Sequence, residues 1–333
     1  MVNPELPVVD PNQFIGQRST VRRIFSRIGA ERPQSVAVIG GRKIGKSSLL
    51  NYLNTAQAQQ ENLTDLENYI FLHFSPQNDP ELSVDVLLHR ILLDLGATNG
   101  GNESLYTTLQ RTVEQLHHSG KKIVFMFDDF HNTTTNENFP LEFFSFLRSL
   151  ANNYNLAYVT SSYLELQKLC VAKDIEESPF FNIFTNVPVG LLKHDEAASL
   201  FSRLTGLDEQ EVERVVTWCG PSPYVVKLIA SRINDAVLNL NNLEKEFLPL
   251  LSDYFTMIVS VVPRAAFKPL KELVKGKQPG QHESYLLQPL VRHRFLEEDE
   301  DQIMFFSEAF KLFIMKKLTP EMLVGHENKT RQE

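Results

Sequence analysis

Residues 36–53 read VAVIGGRKIGKSSLLNYL, and the pattern G-x-x-x-x-G-K-S runs from Gly40 to Ser47. The pattern lies between a short apolar run, which is typical of a buried strand, and a helical pattern. In such a loop the backbone amides converge on a phosphate, Lys46 reaches the outer phosphate oxygens, and the Ser47 hydroxyl can bind Mg²⁺ at a helix N-terminus. The loop therefore predicts that the chain binds a nucleoside triphosphate. The predicted nucleotide-binding residues of this loop are Gly40, Gly41, Arg42, Lys43, Ile44, Gly45, Lys46, Ser47 and Ser48.

The composition is that of an ordinary globular protein, and it restricts the classes of partner. The chain has 333 residues, of which 42% are hydrophobic and 22% charged, enough for about two or three domains with their own cores. Its net charge of -8 argues against broad, unspecific binding to nucleic acid or to an anionic membrane. The two cysteines, Cys170 and Cys219, are too few for a disulfide framework, and no apolar run is long enough to span a bilayer. We therefore expect a cytoplasmic protein without a membrane partner.

Short apolar runs alternate with helical patterns up to residue 189. The apolar runs predict strands at 36–39, 69–74, 123–127, 156–159 and 184–189. Helices are predicted at 17–29, 47–60, 84–95, 104–118, 141–152 and 163–168. This alternation predicts the α/β class, with a doubly wound, mostly parallel sheet.

After residue 189 the pattern changes to helices. They are predicted at 194–204, 208–219, 222–240, 247–261, 267–274, 284–291 and 307–317. Two short segments around the acidic turn Asp299-Glu300-Asp301 indicate a β-hairpin before the last helix, and this order predicts a winged helix. The predicted domains are an extended N-terminal arm (1–13), a nucleotide-binding domain (14–189), a small helical lid (190–246), a winged-helix-like domain (247–325) and a disordered tail (326–333).

Acidic and hydroxyl side chains follow two of the predicted strands. Asp128 and Asp129 end the apolar run that begins at residue 123, and Thr160 and Ser161 end the next one. Because the carboxyl ends of parallel strands face the ligand crevice, Asp128 is predicted to hold Mg²⁺ and Asp129 to orient or deprotonate the attacking water. Thr160 or Ser161 is predicted to contact the γ-phosphate or to position that water.

Three landmarks together resemble a known family. They are Phe14-Ile15-Gly16-Gln17-Arg18 ahead of the glycine-rich loop, Asp128-Asp129, and Gly220-Pro221-Ser222-Pro223-Tyr224 in the helical region. With them the chain resembles the STAND class of the AAA+ superfamily, P-loop ATPases of the ASCE type, over residues 14–317. The resemblance implies an ATP-binding sheet domain, a helical lid, a winged helix, and a switch between a closed ADP form and an ATP form that can assemble. It also implies that Phe14, Ile15 and Gly16 line the adenine pocket and that Pro223 faces the adenine and ribose.

Three functions are compatible with the sequence. The first is a regulatory switch that binds ATP or ADP with Mg²⁺, forms a homo-oligomer in the ATP state, and acts on a separate effector or sensor protein. Its hydrolysis is expected to be slow, because Asp129 replaces the longer glutamate that is common in fast members of the superfamily. The second is a DNA-acting ATPase, such as a loader or a regulator of transposition or replication. The third is a catalytically silent nucleotide-binding scaffold.

Charge disfavours the DNA-acting alternative. Residues 247–333 contain equal numbers of basic and acidic side chains, and the predicted hairpin tip is wholly acidic, so it would repel phosphate. A positive helix face could still be formed by Lys268, Lys271, Lys275 and Lys277. Solvated lysines on an amphipathic helix are the commoner explanation of such a pattern.

Overall fold

The computed structural model describes residues 3–75, 81–97, 103–235, 239–299 and 302–323. Its larger sheet has five parallel strands in the order β2-β3-β4-β1-β5. The strands are β1 Ser35–Ile39, β2 Tyr69–Phe74, β3 Lys122–Phe127, β4 Leu156–Ser162 and β5 Phe184–Pro188. The five strands predicted from the apolar runs and the parallel α/β architecture are therefore confirmed.

Strand β4 lies between β1 and β3 and is longer than the apolar run predicts. Its register pairs Ala37 of β1 with Thr160 and Ile39 with Ser162, so the polar end of β4 continues the sheet. Strand pairing uses the backbone, and polar side chains do not interrupt it. As a result, the ends of β1, β4 and β3 lie side by side, and the segments that follow them share one edge of the sheet.

The helices around this sheet mostly match the sequence patterns, with two corrections. They are α1 Arg18–Ile28, α2 Lys46–Leu53, α3 Ala56–Asn62, α4 Val84–Asp94, α5 Leu105–His118, α6 His131–Thr134, α7 Leu141–Asn153 and α8 Lys173–Glu176. The single helix predicted at 47–60 is wrong, because Thr55 starts a new helix as the N-cap of α3. The helix predicted at 163–168 is also wrong, because only a 3₁₀ turn, Leu166–Leu169, forms there.

An aromatic core supports one face of the sheet. Phe125, Phe127 and Tyr158 share that face, since alternate residues of a strand point to the same side, and they are fully buried with α4, α5 and α7. The Tyr158 ring lies 6.0 Å from Phe125 and 6.0 Å from Phe180. Its hydroxyl donates to the Leu147 carbonyl at 2.8 Å, so the one polar atom of this core ring has a partner. The core thereby holds β3 and β4 at the edge where Asp128 and Ser161 emerge.

The chain divides into two compact units, one of which is Pro7–Val189. The other holds the residues before Pro7 and those from Gly190 onward, so it contains the predicted lid and winged helix together. Its helices are α9 His194–Thr205, α10 Glu209–Cys219, α11 Pro223–Asp235, α12 Leu243–Val259, α13 Phe267–Val274, α14 Gln281–Arg292 and α15 Glu308–Lys316. The further division of the chain at residues 13, 246 and 325 stays a prediction.

A β-hairpin lies between α14 and α15, as the sequence indicates. Its strands are β6 Leu296–Asp299 and β7 Gln302–Phe305, which pair antiparallel. Glu300 and Asp301 of the predicted acidic turn, and the predicted tail at 326–333, lie outside the described residues. The helix predicted at 222–240 is too long, because residues 239 and 240 are not helical; the described part of α11 is Pro223–Asp235. No helix within the described ranges is both long and apolar enough to cross a membrane.

The predicted N-terminal arm is held by hydrogen bonds in both units. In one unit, the Tyr224 hydroxyl donates to Glu5 at 2.5 Å. In the other, the Val8 N–H donates to the Ser48 hydroxyl at 2.9 Å, and the Asn51 amide donates to the Val8 carbonyl at 3.0 Å. Pro11–Gln13 forms a short 3₁₀ turn before Phe14.

Candidate nucleotide site

The loop between β1 and α2 has the backbone that a phosphate-binding turn requires. Gly45 is the N-cap of α2 with a φ of 98°, and Lys43 has a φ of 62°, so both lie in the left-handed region. A Cβ atom at Gly40 would lie 2.7 Å from the Val189 carbonyl oxygen, so a larger residue does not fit there. Helix α2 begins at Lys46, and its first amides have no partner within the helix, which makes them available to an anion.

Lys46 is buried beside this loop. It is 7% exposed, and its ammonium donates to the Gly41 carbonyl at 3.0 Å. Burial lowers the pKa of Lys46, while the nearby Asp129 and Asp128 carboxylates act in the opposite direction. An ammonium has three N–H donors, and the hydrogen bond given above uses one of them, on a neutral carbonyl. Because the positive charge of Lys46 is buried, a negatively charged ligand fits beside it. The loop and Lys46 therefore suit a polyphosphate.

Asp128 and Asp129 follow β3 and are held in place by the end of β4. The Ser161 hydroxyl donates to Asp128 Oδ1 at 2.5 Å. The Asp129 N–H donates to the same carboxylate oxygen at 3.1 Å and to the Ser161 hydroxyl at 2.8 Å. Both aspartates are buried. A buried carboxylate that is oriented by hydrogen bonds on one of its oxygens suits a metal ligand.

The two hydroxyls predicted to contact the γ-phosphate lie on different faces of β4. Ser161 is on the face of Asp128 and is bonded to it, whereas Thr160 is on the face of Tyr158. The Thr160 hydroxyl is buried and has no hydrogen-bond partner among the described residues. Ser161 therefore supports the aspartates, and a role of either hydroxyl at the γ-phosphate stays a prediction.

His131, which no sequence motif singles out, lies beside Asp129. Its Nδ1 is 3.9 Å from Asp129 Oδ1, and burial, followed by the positive charges of Lys46 and Arg42, lowers the pKa of His131 to about 4. The His131 ring packs edge-on against Tyr163, with 4.8 Å between ring centroids, and the Arg42 guanidinium lies 5.6 Å from the Tyr163 centroid. The sequence signals were only positional: His131 comes shortly after the acidic pair, and Tyr163 follows the polar end of β4.

The predicted adenine contacts lie in separate parts of the chain. The Phe14 ring stacks on Tyr52 of α2, with 4.4 Å between ring centroids, and Gly16 has a φ of 82° just before α1. Ile15, the residue between Phe14 and Gly16 in the sequence, is half-buried. Pro223 is the first residue of α11, in the other unit.

The lysines predicted as a possible positive face of α13 make different contacts. The Lys271 ammonium donates to the Ile314 carbonyl at 2.7 Å and to the Met315 carbonyl at 3.0 Å, at the end of α15. Lys277 pairs with Glu272 at 2.7 Å, and Lys268 lies 4.0 Å from the same carboxylate. Lys271 therefore serves an internal contact, whereas Lys268 and Lys277 are exposed side chains that share one carboxylate.

Comparison with known proteins gives one family and a set of similar folds. The family model described as Novel STAND NTPase 2 matches residues 30–261. The Walker-type ATPase PABY2304 of Pyrococcus abyssi is similar in structure, with a TM-score of 0.60 and 13% identity over 93% of this chain and 98% of that one. The ORC2 protein of Aeropyrum pernix, in its ADPNP–ADP complexes, has a TM-score of 0.54 and 12% identity over 95% of this chain and 94% of its own. No curated protein sequence matches the chain. At these identities the structures show a shared fold, that of AAA+ P-loop ATPases.

Proposed function

The chain belongs to the novel STAND NTPase 2 family, and from this premise we propose that it is a slow ATPase that works as a regulatory switch. Its nucleotide state would control self-assembly or the docking of a separate effector or sensor protein. The observation that carries the proposal is the site itself: a buried Lys46 beside a glycine-rich loop, and two buried aspartates held by Ser161.

In the proposed reaction, the β- and γ-phosphates of ATP lie in the loop, where the amides and Lys46 offset their negative charge. Ser47 and Asp128 would hold Mg²⁺, which when bound neutralises charge on the phosphate oxygens. Asp129 orients a water molecule whose oxygen attacks the γ-phosphorus; one hydrogen of this water stays on the phosphate, and the other passes as a proton to Asp129 and from there to solvent. The bond to the bridging oxygen breaks, ADP carries away that oxygen, and phosphate is the second product. Ser161 acts through Asp128, by fixing the direction of its carboxylate.

The adenine-binding residues are proposed on the family resemblance. Phe14, Ile15 and Gly16 would form one wall of the base pocket, and the Phe14–Tyr52 stack supports this by giving the wall a fixed aromatic surface. Pro223 would contribute from the lid. A lid that responds to the γ-phosphate is a simple way for ATP and ADP to favour different conformations.

The binding proposal is tested with a fluorescent ATP analogue and Mg²⁺. We expect Lys46→Ala to weaken binding at least tenfold, because a buried ammonium facing the phosphates is lost. Lys173→Ala is the matched control, since Lys173 is an exposed lysine of the same unit. Equal affinities for wild type and Lys46→Ala would reject the site.

The switch proposal is tested by light scattering after size exclusion. We expect a larger assembly with a non-hydrolysable ATP analogue than with ADP, and no change on adding duplex DNA at near-physiological salt. Salt-dependent retention of DNA would instead favour the DNA-acting alternative.

The hydrolysis proposal is tested by phosphate release. Wild type should hydrolyse ATP more slowly than about ten turnovers per second, a value typical of efficient enzymes. Asp129→Asn should hydrolyse it more slowly still. Equal, background-level release by both proteins would select the silent scaffold.

A further inference from the structure

Four buried side-chain atoms among the described residues have no hydrogen-bond partner, and all four come from segments adjoining the acidic pair. They are His73 Nε2, His131 Nδ1, Thr133 Oγ1 and Thr160 Oγ1. His73 and Thr160 lie at the ends of the two strands that flank β3, and His131 and Thr133 belong to α6, directly after it. Buried polar atoms are nearly always satisfied, so an unsatisfied group suggests a position that a ligand or an ordered water completes.

The unsatisfied Nδ1 of His131 lies near an acidic group of the candidate site. Asp129 Oδ1 lies 3.9 Å from Nδ1, which is too long for a hydrogen bond. Such contacts are often long without substrate and shorten in the reactive complex. A carboxylate facing Nδ1 favours the tautomer that carries the proton there, so His131 can donate to Asp129 as a neutral imidazole.

The His131 ring also contacts an aromatic side chain. Tyr163 packs edge-on against it, at an interplanar angle of 84°, and Arg42 of the glycine-rich loop lies over the Tyr163 ring. The imidazole thus has Tyr163 in contact with its ring and the Asp129 carboxylate near its Nδ1.

We propose that His131 is a positioning residue for ATP hydrolysis: its Nδ1–H binds the Asp129 carboxylate and directs the other carboxylate oxygen toward the attacking water. The inference rests on the proposed function. An aspartate is one methylene shorter than a glutamate, and a hydrogen bond that limits its rotation offsets part of that disadvantage. Tyr163 in turn holds the imidazole.

The test compares His131→Leu with His131→Asn in single-turnover hydrolysis, nucleotide binding and thermal unfolding. The asparagine amide places a donor near the position of Nδ1, whereas leucine has none. We expect His131→Leu to lower the hydrolysis rate about 10- to 100-fold with nucleotide affinity within about threefold of wild type, and His131→Asn to restore most of the rate. His89→Leu, at an exposed histidine of the same unit, is the control and should hydrolyse like wild type.

A double-mutant cycle with Asp129→Asn separates positioning from a structural effect. If His131 acts through Asp129, adding His131→Leu to Asp129→Asn should cause little further loss. Additive losses, or an unchanged rate in His131→Leu, would overturn the proposal.

Should His131→Leu not fold, Tyr163→Ala replaces it in the same cycle, with the same expectation and the same overturning result. Wild type that binds ATP without releasing phosphate would reject the proposed hydrolysis itself, whereas active wild type with an equally active His131→Leu rejects only the role of His131.

Discussion

Asp129 adopts a backbone conformation that is unfavourable for a residue with a side chain. Its φ is 48°, in the left-handed region, where a non-glycine residue typically costs about 1–2 kcal/mol. The conformation turns its N–H toward Asp128 Oδ1 and the Ser161 hydroxyl, and these two bonds offset the strain. Strained residues concentrate at functional sites, so the geometry agrees with a role of Asp129 in the reaction.

The Ser161 hydroxyl has hydrogen-bond partners, whereas the Thr160 hydroxyl has none among the described residues. The two residues should therefore respond differently to loss of the hydroxyl. Ser161→Ala removes the donor to Asp128 and one acceptor for the Asp129 N–H, so we expect the free energy of unfolding to fall by about 1–3 kcal/mol. Thr160→Val removes a hydroxyl that has no partner among the described residues, so it should change stability by less than about 0.5 kcal/mol. Urea unfolding of both variants measures the difference.

Phosphate release by the same two variants assigns the hydroxyl at the γ-phosphate. If Thr160→Val folds normally but loses hydrolysis, Thr160 performs the role predicted for this strand end. A Thr160→Val variant that is less stable than Ser161→Ala would contradict the hydrogen bonds of the Ser161 hydroxyl with Asp128 and with the Asp129 N–H.

At the scale of elements, apolar runs and helical periodicity were enough to predict the sheet and most helices. The five strands are short apolar runs bounded by turn residues, and three of them, β1, β3 and β4, are almost wholly buried. This pattern is a property of each run by itself and does not depend on the order of the strands in the sheet. The order β2-β3-β4-β1-β5 was not predicted, because it depends on which strands pair and not on the composition of each one. The bond from Ser161 to Asp128 and the position of His131 follow from that order, so they could not be read from the sequence alone.

The break between α2 and α3 shows how a local signal was missed. The apolar spacing at 47–60 continues through Asn54 and Thr55 as if one helix were present. Thr55 nevertheless accepts the Ala58 N–H at 3.2 Å and donates to the Tyr52 carbonyl at 2.7 Å, so it ends one helix and starts the next. Threonine is a preferred N-cap residue, but a prediction from the spacing of apolar residues takes no account of capping.

Removing this cap should destabilise the nucleotide-binding unit. For Thr55→Ala we expect a loss of about 1 kcal/mol and a fall in the unfolding midpoint of roughly 2–4 °C. Thr112→Ala is the control, because the Thr112 hydroxyl bonds the Thr108 carbonyl within α5 and caps no helix, so its loss should be nearly neutral. Equal midpoints for Thr55→Ala and wild type, measured by circular dichroism, would mean that the cap adds no stability.

At the scale of the whole molecule, the two units can be followed separately. The single tryptophan, Trp218, lies in α10, so its fluorescence reports the unit that contains the helical region and the hairpin. The sheet and the glycine-rich loop belong to the other unit. Far-ultraviolet circular dichroism reports the unfolding of both units. Comparing it with the Trp218 fluorescence distinguishes the unfolding of one unit from that of the other.

Nucleotide and Mg²⁺ should stabilise both units if Pro223 contributes to binding. At about 100 times the dissociation constant, a ligand adds about 2.7 kcal/mol, which for a unit of this size raises the midpoint by roughly 5–10 °C. We expect this shift in the circular dichroism of wild type and its loss in Lys46→Ala. We also expect the Trp218 transition to rise with it, because a proline contact from α11 would couple the helical unit to the bound nucleotide. A Trp218 transition that stays constant while the sheet unit is stabilised would mean that the nucleotide is held by residues 7–189 alone and that Pro223 is not one of its ligands.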